Sequence, residues 1–278
     1  MSIFPAPDTR PEAAATPPSR FAVTLIDILD RVEYRRVDLG DRLDPIYRLR
    51  YEAYRREDFI AVNSEEIARD ELDEVPNAMC YGIYIDGKLV SSLRLHLLTA
   101  EHRYSPSMTA YPDILNPMLD QGLRFIDPSR FTADRDATLA FPALPFLTLR
   151  LCTMAWEFFD VDYCLSSIRL EHAAFYKRVF GSEQWAGERY LGGGLRFPVY
   201  LYAAKCGAIR DRVAERFPFF MSTPAERMAL FGANAPIGAA SFVKASARTA
   251  ISEERGAGLD RGTEAREERE RRKVVPLA

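Results

Sequence analysis

The run Phe125-Ile126-Asp127-Pro128-Ser129-Arg130-Phe131 sets a carboxylate and a guanidinium three residues apart in a segment otherwise written like a buried strand. Arg50 and Arg94 also fall among apolar neighbours. Charge in apolar surroundings is costly unless it is paired. These arginines, with nearby acids, are therefore expected to form one internal polar network rather than a solvated surface. Residues of this kind suit two tasks. A sequestered carboxylate can take a proton from an ammonium group, and a guanidinium can anchor a carboxylate through forked hydrogen bonds.

Elements that could position such groups follow from local patterns. Asp44-Pro45 reads as an N-cap followed by proline at the first helical position, leading into Ile46 to Tyr54. On that helix Ile46, Tyr47, Leu49, Ala53 and Tyr54 share one face, Arg48, Glu52 and Arg55 the other, and Arg50 falls within the apolar face. Met79 to Ile85 and Lys88 to Leu97 flank Asp86-Gly87, a two-residue hairpin signature. Simple pairing across it puts Tyr81, Ile83, Val90, Ser92 and Arg94 on one side and Tyr84, Leu89, Leu93, Leu95 and Leu97 on the other. A third strand is expected over Leu123 to Thr132. Pro128, which cannot donate to a ladder, marks an edge, a bulge or a place where neighbours part. Helices follow from Pro145 to Phe158 and from Glu171 to Phe180, strands at Tyr163 to Ile168 and Arg196 to Ala204, and Thr223-Pro224-Ala225-Glu226 reads as a capping box. This order describes an α/β fold with a mixed central sheet flanked by helices on both faces.

At 278 residues and 47% hydrophobic, the chain can bury a full core. Residues 1–20, with five prolines, read as a disordered arm, 21–240 as the catalytic domain and 241–278 as a charged, disordered tail. With 37 basic and 40 acidic residues, nothing global argues for nucleic acid or an anionic membrane. Cys80, Cys152, Cys164 and Cys206 lack CxxC spacing, and His96, His102 and His172 show no ligand spacing. Neither a metal site nor a disulfide framework is expected, and the thiols read as reduced core residues of a cytoplasmic protein. No apolar run reaches about 18 residues, so no integral membrane segment is expected.

The order of LRYEAY (Leu49 to Tyr54), DELD (Asp70 to Asp73), SLRL (Ser92 to Leu95) and DPSRF (Asp127 to Phe131) resembles the acyl-homoserine lactone synthases of quorum sensing and the related N-acyl amino acid synthases. Both have the Gcn5-related N-acyltransferase (GNAT) fold. The resemblance spans about residues 35–205. It implies that Arg50, Asp70, Asp73, Arg94, Ser129 and Arg130 line a substrate pocket with Asp127. It further implies that Tyr176, in Ala173 to Gly181, stands where a tyrosine often protonates the leaving thiolate. Phe59 replaces a tryptophan of the lactone synthases, and Asp127-Pro128 stands where they carry a glutamate. Both departures favour the amino acid branch.

The implied activity is N-acyl transfer from a thioester to the amine of an amino acid or similar small molecule. The alternatives are an acyl-homoserine lactone synthase using S-adenosylmethionine, or a non-catalytic acyl-binding module. No permanently bound cofactor is expected. An acyl-phosphopantetheine thioester on acyl carrier protein is the expected donor, because Thr132 to Leu144 holds no glycine for a coenzyme A pyrophosphate cradle. Arg124, Arg130, Arg135, Arg150, Arg169, Lys177 and Arg178 are candidates for docking the acidic carrier.

Each site residue also has a structural reading. Asp127 is either a base for the ammonium or an ion-pair partner of Arg130 or Arg94. Asp70 and Asp73 either bind the ammonium or belong to a solvated acidic run. Arg50 and Arg94 either anchor a carboxylate or only neutralise the acids. Tyr176 is either a proton donor or core packing.

Overall fold

A computed structural model of the chain describes residues 19–191 and 197–254. Most of the expected N-terminal arm, Gly192-Gly193-Gly194 and the final residues of the expected tail lie outside the described residues. The elements in chain order are α1 (Arg20–Leu29), β1 (Val32–Arg36), α2 (Pro45–Arg56), β2 (Ala78–Ile85), β3 (Lys88–Leu98), α3 (Pro106–Ala110), α4 (Pro112–Asp120), β4 (Phe125–Ala133), α5 (Arg135–Ala140), α6 (Leu144–Phe159), β5 (Tyr163–Ile168), α7 (Ala173–Phe180), β6 (Glu183–Arg189), β7 (Val199–Lys205), α8 (Cys206–Arg216), α9 (Pro224–Phe231) and β8 (Phe242–Lys244). The strands form one sheet in the order β6-β7-β5-β4-β3-β2-β1-β8. On one face α1, α6 and α9 pack against alternate residues of β1 to β3, such as Tyr34, Tyr81, Leu93 and Leu95. On the other, α2 covers Cys80, and α3 and α4 cover Phe125, Leu165 and Leu201.

The Asp86-Gly87 turn has positive φ at both residues (50° and 76°), as a type I′ hairpin requires. The strands do not continue in simple register. Ile83 pairs with Ser91 while Tyr84 pairs with Leu89, so Val90 is the extra residue of a bulge. Because side chains alternate, this slip reverses the expected faces. Ser92 and Arg94 stand with Gly82 and Cys80, not with Tyr81 and Ile83. Arg94 is thereby turned towards α2. Gly82 lets that helix approach, since a Cβ there would lie 2.8 Å from the Tyr84 ring and 3.3 Å from Ile46.

Asp44 fixes the start of α2 twice. It accepts the Ile46 N–H at 3.1 Å and holds the buried Arg35 guanidinium of β1 at 2.7 and 3.0 Å. Arg50 is consequently driven inward and is fully buried. Residues beyond 240, expected as tail, enter the fold. β8 pairs with β1, residues 247–254 are helical, and Ala247 and Ala250 are buried.

The expected capping box at Thr223 is half made. Thr223 accepts the Glu226 N–H at 3.2 Å, but its own N–H goes to Ser246. The Glu226 carboxylate turns inside to Arg150 at 2.5 and 2.7 Å, with both side chains almost wholly buried. Arg150 is thus a core residue and not part of a docking surface. Removing one partner leaves the other buried charge uncompensated, so Glu226→Gln should lower stability by about 3–5 kcal/mol. Chemical denaturation measures this, and a loss under 1 kcal/mol would contradict it.

Candidate active site

β4 and β5 are the only parallel neighbours in the described sheet, and they pair at just two positions, Phe125 with Tyr163 and Ile126 with Cys164. Beyond these the strands part, at Asp127 and Pro128. A cleft of about 260 Å³ passes through the opening. Asp127, Arg94 and Ser167 line it on the side of α2 and α3, and Leu149, Ser166 and Tyr176 on the side of α6 and α7.

One bulge aims Arg130. Between the pairs Ser92–Thr132 and Arg94–Ser129, β4 carries one residue more than β3. Arg130 there adopts φ 54°, a left-handed conformation uncommon for a non-glycine residue. Strict alternation would send Ser129 and Arg130 to opposite faces. Instead Arg130 lies over the Tyr54 ring of α2, at 5.5 Å, and ion-pairs with Asp70.

Asp70 and Asp73 do not form a solvated acidic run. They flank a single 3₁₀ turn, Glu71–Asp73, in a reciprocal capping box: Asp70 accepts the Leu72 N–H at 3.1 Å and Asp73 accepts the Asp70 N–H at 3.0 Å. This turn delivers both carboxylates to the arginines. Arg94 Nη1 lies 2.5 Å from Asp70 Oδ1 and 3.1 Å from Asp73 Oδ1, and its Nε donates to Ser129 Oγ at 3.1 Å. Arg50 Nη1 donates to Asp73 at 2.8 Å, and the Cys80 thiol donates to the same oxygen at 3.3 Å. Arg50 and Asp73 do not reach the cleft, whereas Asp70, Arg94, Ser129 and Arg130 line it. Three guanidinium groups thus meet two carboxylates, leaving one positive charge in excess. Arg94 Nη2 has no hydrogen-bond partner among the described residues.

Asp127 pairs with neither arginine; among the described residues it makes no ion pair. It is 1% exposed and accepts two hydrogen bonds from Ser107, from N–H to Oδ2 at 3.0 Å and from Oγ to Oδ1 at 2.8 Å. Burial pushes its carboxyl above the ordinary value, against the opposing pull of the Ser105 and Ser107 hydrogen bonds and of Arg94. Asp70 and Asp73 shift the other way. Although burial raises both, the arginines outweigh it and hold them below the ordinary range.

Tyr176 reaches the cleft from α7, opposite Asp127. Its ring packs against Phe175 and Phe180, and burial raises its phenol pKa, keeping the proton on. Of the histidines, His96 is buried with Nε2 2.9 Å from the Leu72 carbonyl. His172, with no ligand spacing in the sequence, nonetheless lines the cleft. The sequence reading also missed Ser107 and Ser167, which sit on separate elements and show no local motif, and it took Arg169 only as a docking candidate, not as a residue of the cleft. The Arg169 guanidinium covers Phe59 at 5.1 Å, beside Phe197, at the cleft wall. The four cysteines are free and buried, no cluster of metal-ligating side chains occurs among the described residues, and no described helix is long and apolar enough to cross a membrane.

Residues 45–205, more than half of the chain, match the family model of the N-acyl amino acid synthase FeeM. The chain belongs to this N-acyl amino acid synthase family. The solved structure of FeeM, from uncultured soil microbes, aligns with a TM-score of 0.53 at 18% identity, covering 65% of this chain and 94% of that one. The lactone synthase LasI aligns with a TM-score of 0.45 at 16% identity, covering 62% and 88%. An acyl-CoA N-acyltransferase from Pseudomonas aeruginosa gives 0.39 at 18% identity, covering 62% and 99%. No curated protein sequence matches the chain. The fold is the GNAT-like mixed sheet expected from the sequence, and family membership makes the protein an acyltransferase.

The two lowered carboxyls set the response to acid. In the folded synthase Asp70 and Asp73 bind protons less readily than in the unfolded chain, whose aspartates titrate near pH 3.9. Their stabilisation is complete above that value and is lost as pH falls towards their folded values. Asp73→Asn should therefore cost about 3–5 kcal/mol at pH 7, by stranding Arg50, and should flatten the acid slope. Urea titrations from pH 7 to 3 check both. An unchanged slope would contradict the account.

Proposed function

We propose that this acyltransferase moves a fatty acyl group from a phosphopantetheine thioester to the α-amine of an amino acid. The observation that carries the reading is Asp127, a buried carboxyl without a cationic partner, at the point where β4 and β5 separate. An acceptor amino acid brings both complementary charges. Its carboxylate would take the excess positive charge of the arginine cluster through the unpartnered Arg94 Nη2. Its ammonium would then face Asp127, which removes a proton to make the amine nucleophilic.

Strand separation beyond Ile126 and Cys164 releases the facing backbone edges of β4 and β5 from each other. Amides there can accept the thioester beside the amine and stabilise the developing oxyanion. Tyr176, held protonated, serves as hydrogen-bond donor to the departing sulfur. The apolar walls given by Leu93, Phe131 and Leu149 suit an acyl chain.

Acyl carrier protein is favoured as donor over coenzyme A. The amides at the N-terminus of α5, the helix that follows β4, are capped by Asp134, which accepts the Ala137 N–H at 2.9 Å. A carboxylate at that place opposes a pyrophosphate. Arg124, Arg135, Arg169, Lys177 and Arg178 remain as docking candidates, since Arg130 turns inward to Asp70 and Arg150 to Glu226. Lys177→Glu with Arg178→Glu should raise KM for acyl carrier thioester several-fold at low salt and leave an acyl-pantetheine donor unaffected. Equal KM values would remove the docking role.

The decisive assay combines purified protein, acyl carrier and coenzyme A thioesters, and a panel of amino acids. Thiol release with an N-acyl amino acid identified by mass spectrometry is expected. Lactone formed from S-adenosylmethionine would replace this reading, and acyl binding without turnover would end it. Asp127→Asn should lower kcat by about 10²–10⁴-fold with the unfolding temperature preserved.

A further inference from the structure

Ser107 contributes both hydrogen bonds that the Asp127 carboxylate receives from it, and its hydroxyl makes a further contact, 2.7 Å from Ser167 Oγ. A hydroxyl has one proton. Ser107 gives its proton to Asp127 Oδ1 at 2.8 Å, so towards Ser167 it can only accept. Ser167 is therefore the donor in that pair. Three side chains follow in a row, the outer one, Ser167, half-buried and the inner two, Ser107 and Asp127, buried.

We propose that Ser167 and Ser107 relay the proton from the acceptor's ammonium to Asp127. This rests on the acyl-transfer reading above and adds the route by which its base acts. Both serines and Asp127 line the cleft, and Ser107 is already hydrogen-bonded to both carboxylate oxygens, so the serine row is a ready-made path that needs no new contact to the carboxylate. Ser107 is held there by the fold. It sits in the first turn of α3, whose N-cap Ser105 accepts the Met108 N–H at 3.2 Å. Ser167 lies on the part of β5 that no longer pairs with β4 and is held on its other edge by β7, opposite Leu201.

The step balances. Ser167 Oγ takes a proton from the ammonium as it passes its own to Ser107, and Ser107 passes its own to Asp127 Oδ1, leaving a neutral amine and a protonated carboxyl. The amine nitrogen then bonds to the thioester carbon and the carbon–sulfur bond breaks. The second nitrogen proton ends on the thiol, and Asp127 returns its proton to solvent along the same row. The other titratable and charged groups around Asp127 are Arg94 and His96 on β3 and Cys164 on β5. None of them hydrogen-bonds to its carboxylate in the described structure.

The test is the pH dependence of acyl transfer from an acyl-pantetheine thioester to the best amino acid of the panel, with wild type, Ser167→Ala and Ser107→Ala. Ser167→Ala should lower kcat about 10–100-fold, within the range of a proton-transfer contribution, while KM for the amino acid changes less than about twofold. Ser107→Ala should also move the acid limb of the profile upward by about one pH unit, because the ionised carboxylate loses the hydroxyl hydrogen bond that favours it while keeping the backbone one. A solvent isotope effect with a curved proton inventory is expected for wild type and a linear one for Ser167→Ala. If Ser107→Ala does not fold, Ser167→Ala, at a half-buried position, carries the test alone. Active wild type with unchanged kcat, acid limb and inventory in the serine variants would overturn the relay alone. Wild type inert towards every thioester would instead overturn the acyl-transfer reading, and the relay with it.

Discussion

Arg50, Arg94 and Arg130 meet Asp70 and Asp73 at one place, and four separate segments are tied together by that meeting: α2, the turn before β2, β3 and β4. Buried charges are tolerated only when paired and hydrogen-bonded, so none of these segments can shift without stranding a charge. The network therefore fixes α2 and the Asp70 turn over the middle of the sheet. Just beyond it β4 and β5 separate, and the cleft opens. Two of the three positive charges are matched within the network, and Asp127, a few residues away in β4, forms no ion pair among the described residues; burial outweighs the pull of Arg94 on its carboxyl.

Chemistry then depends on a contrast between neighbours. Two aspartates on one turn are pulled down by arginines, while a third in the adjacent strand is pushed up by burial. The same residue type is a structural anion in one setting and, in the proposed reaction, the proton acceptor in the other. Groups with pKa values displaced in opposite directions within one cleft are a pattern of acid–base sites. The excess positive charge of the arginines and the unpaired carboxyl of Asp127 line the same cleft, which is the basis for proposing a zwitterionic acceptor.

Much of this was legible in the sequence, and the failures have physical causes. Asp44-Pro45 and the 3.6-residue period placed Arg50 inward, and Pro128 signalled an edge, a bulge or a parting of neighbours, of which the structure shows the parting beside it and a bulge two residues on. The faces of the Asp86-Gly87 hairpin were reversed because the single-residue bulge at Val90 leaves no mark in an apolar run. Arg130 shows the same blindness, since its left-handed φ carries no glycine to announce it. Arg150 resembled a surface charge because its partner Glu226 lies 76 residues away. Ser107 and Ser167 were overlooked because a lone serine has no periodicity, and only the packing of α3 on β5 brings them to Asp127.

The most direct test is a ¹³C NMR titration of the aspartate carboxyls in the intact protein, read without any substrate. The account predicts that Asp127 titrates above the ordinary aspartate value while Asp70 and Asp73 titrate below it. Asp127 titrating at or below that value would show that its hydrogen bonds and Arg94 outweigh burial, and would contradict its role as the proton acceptor.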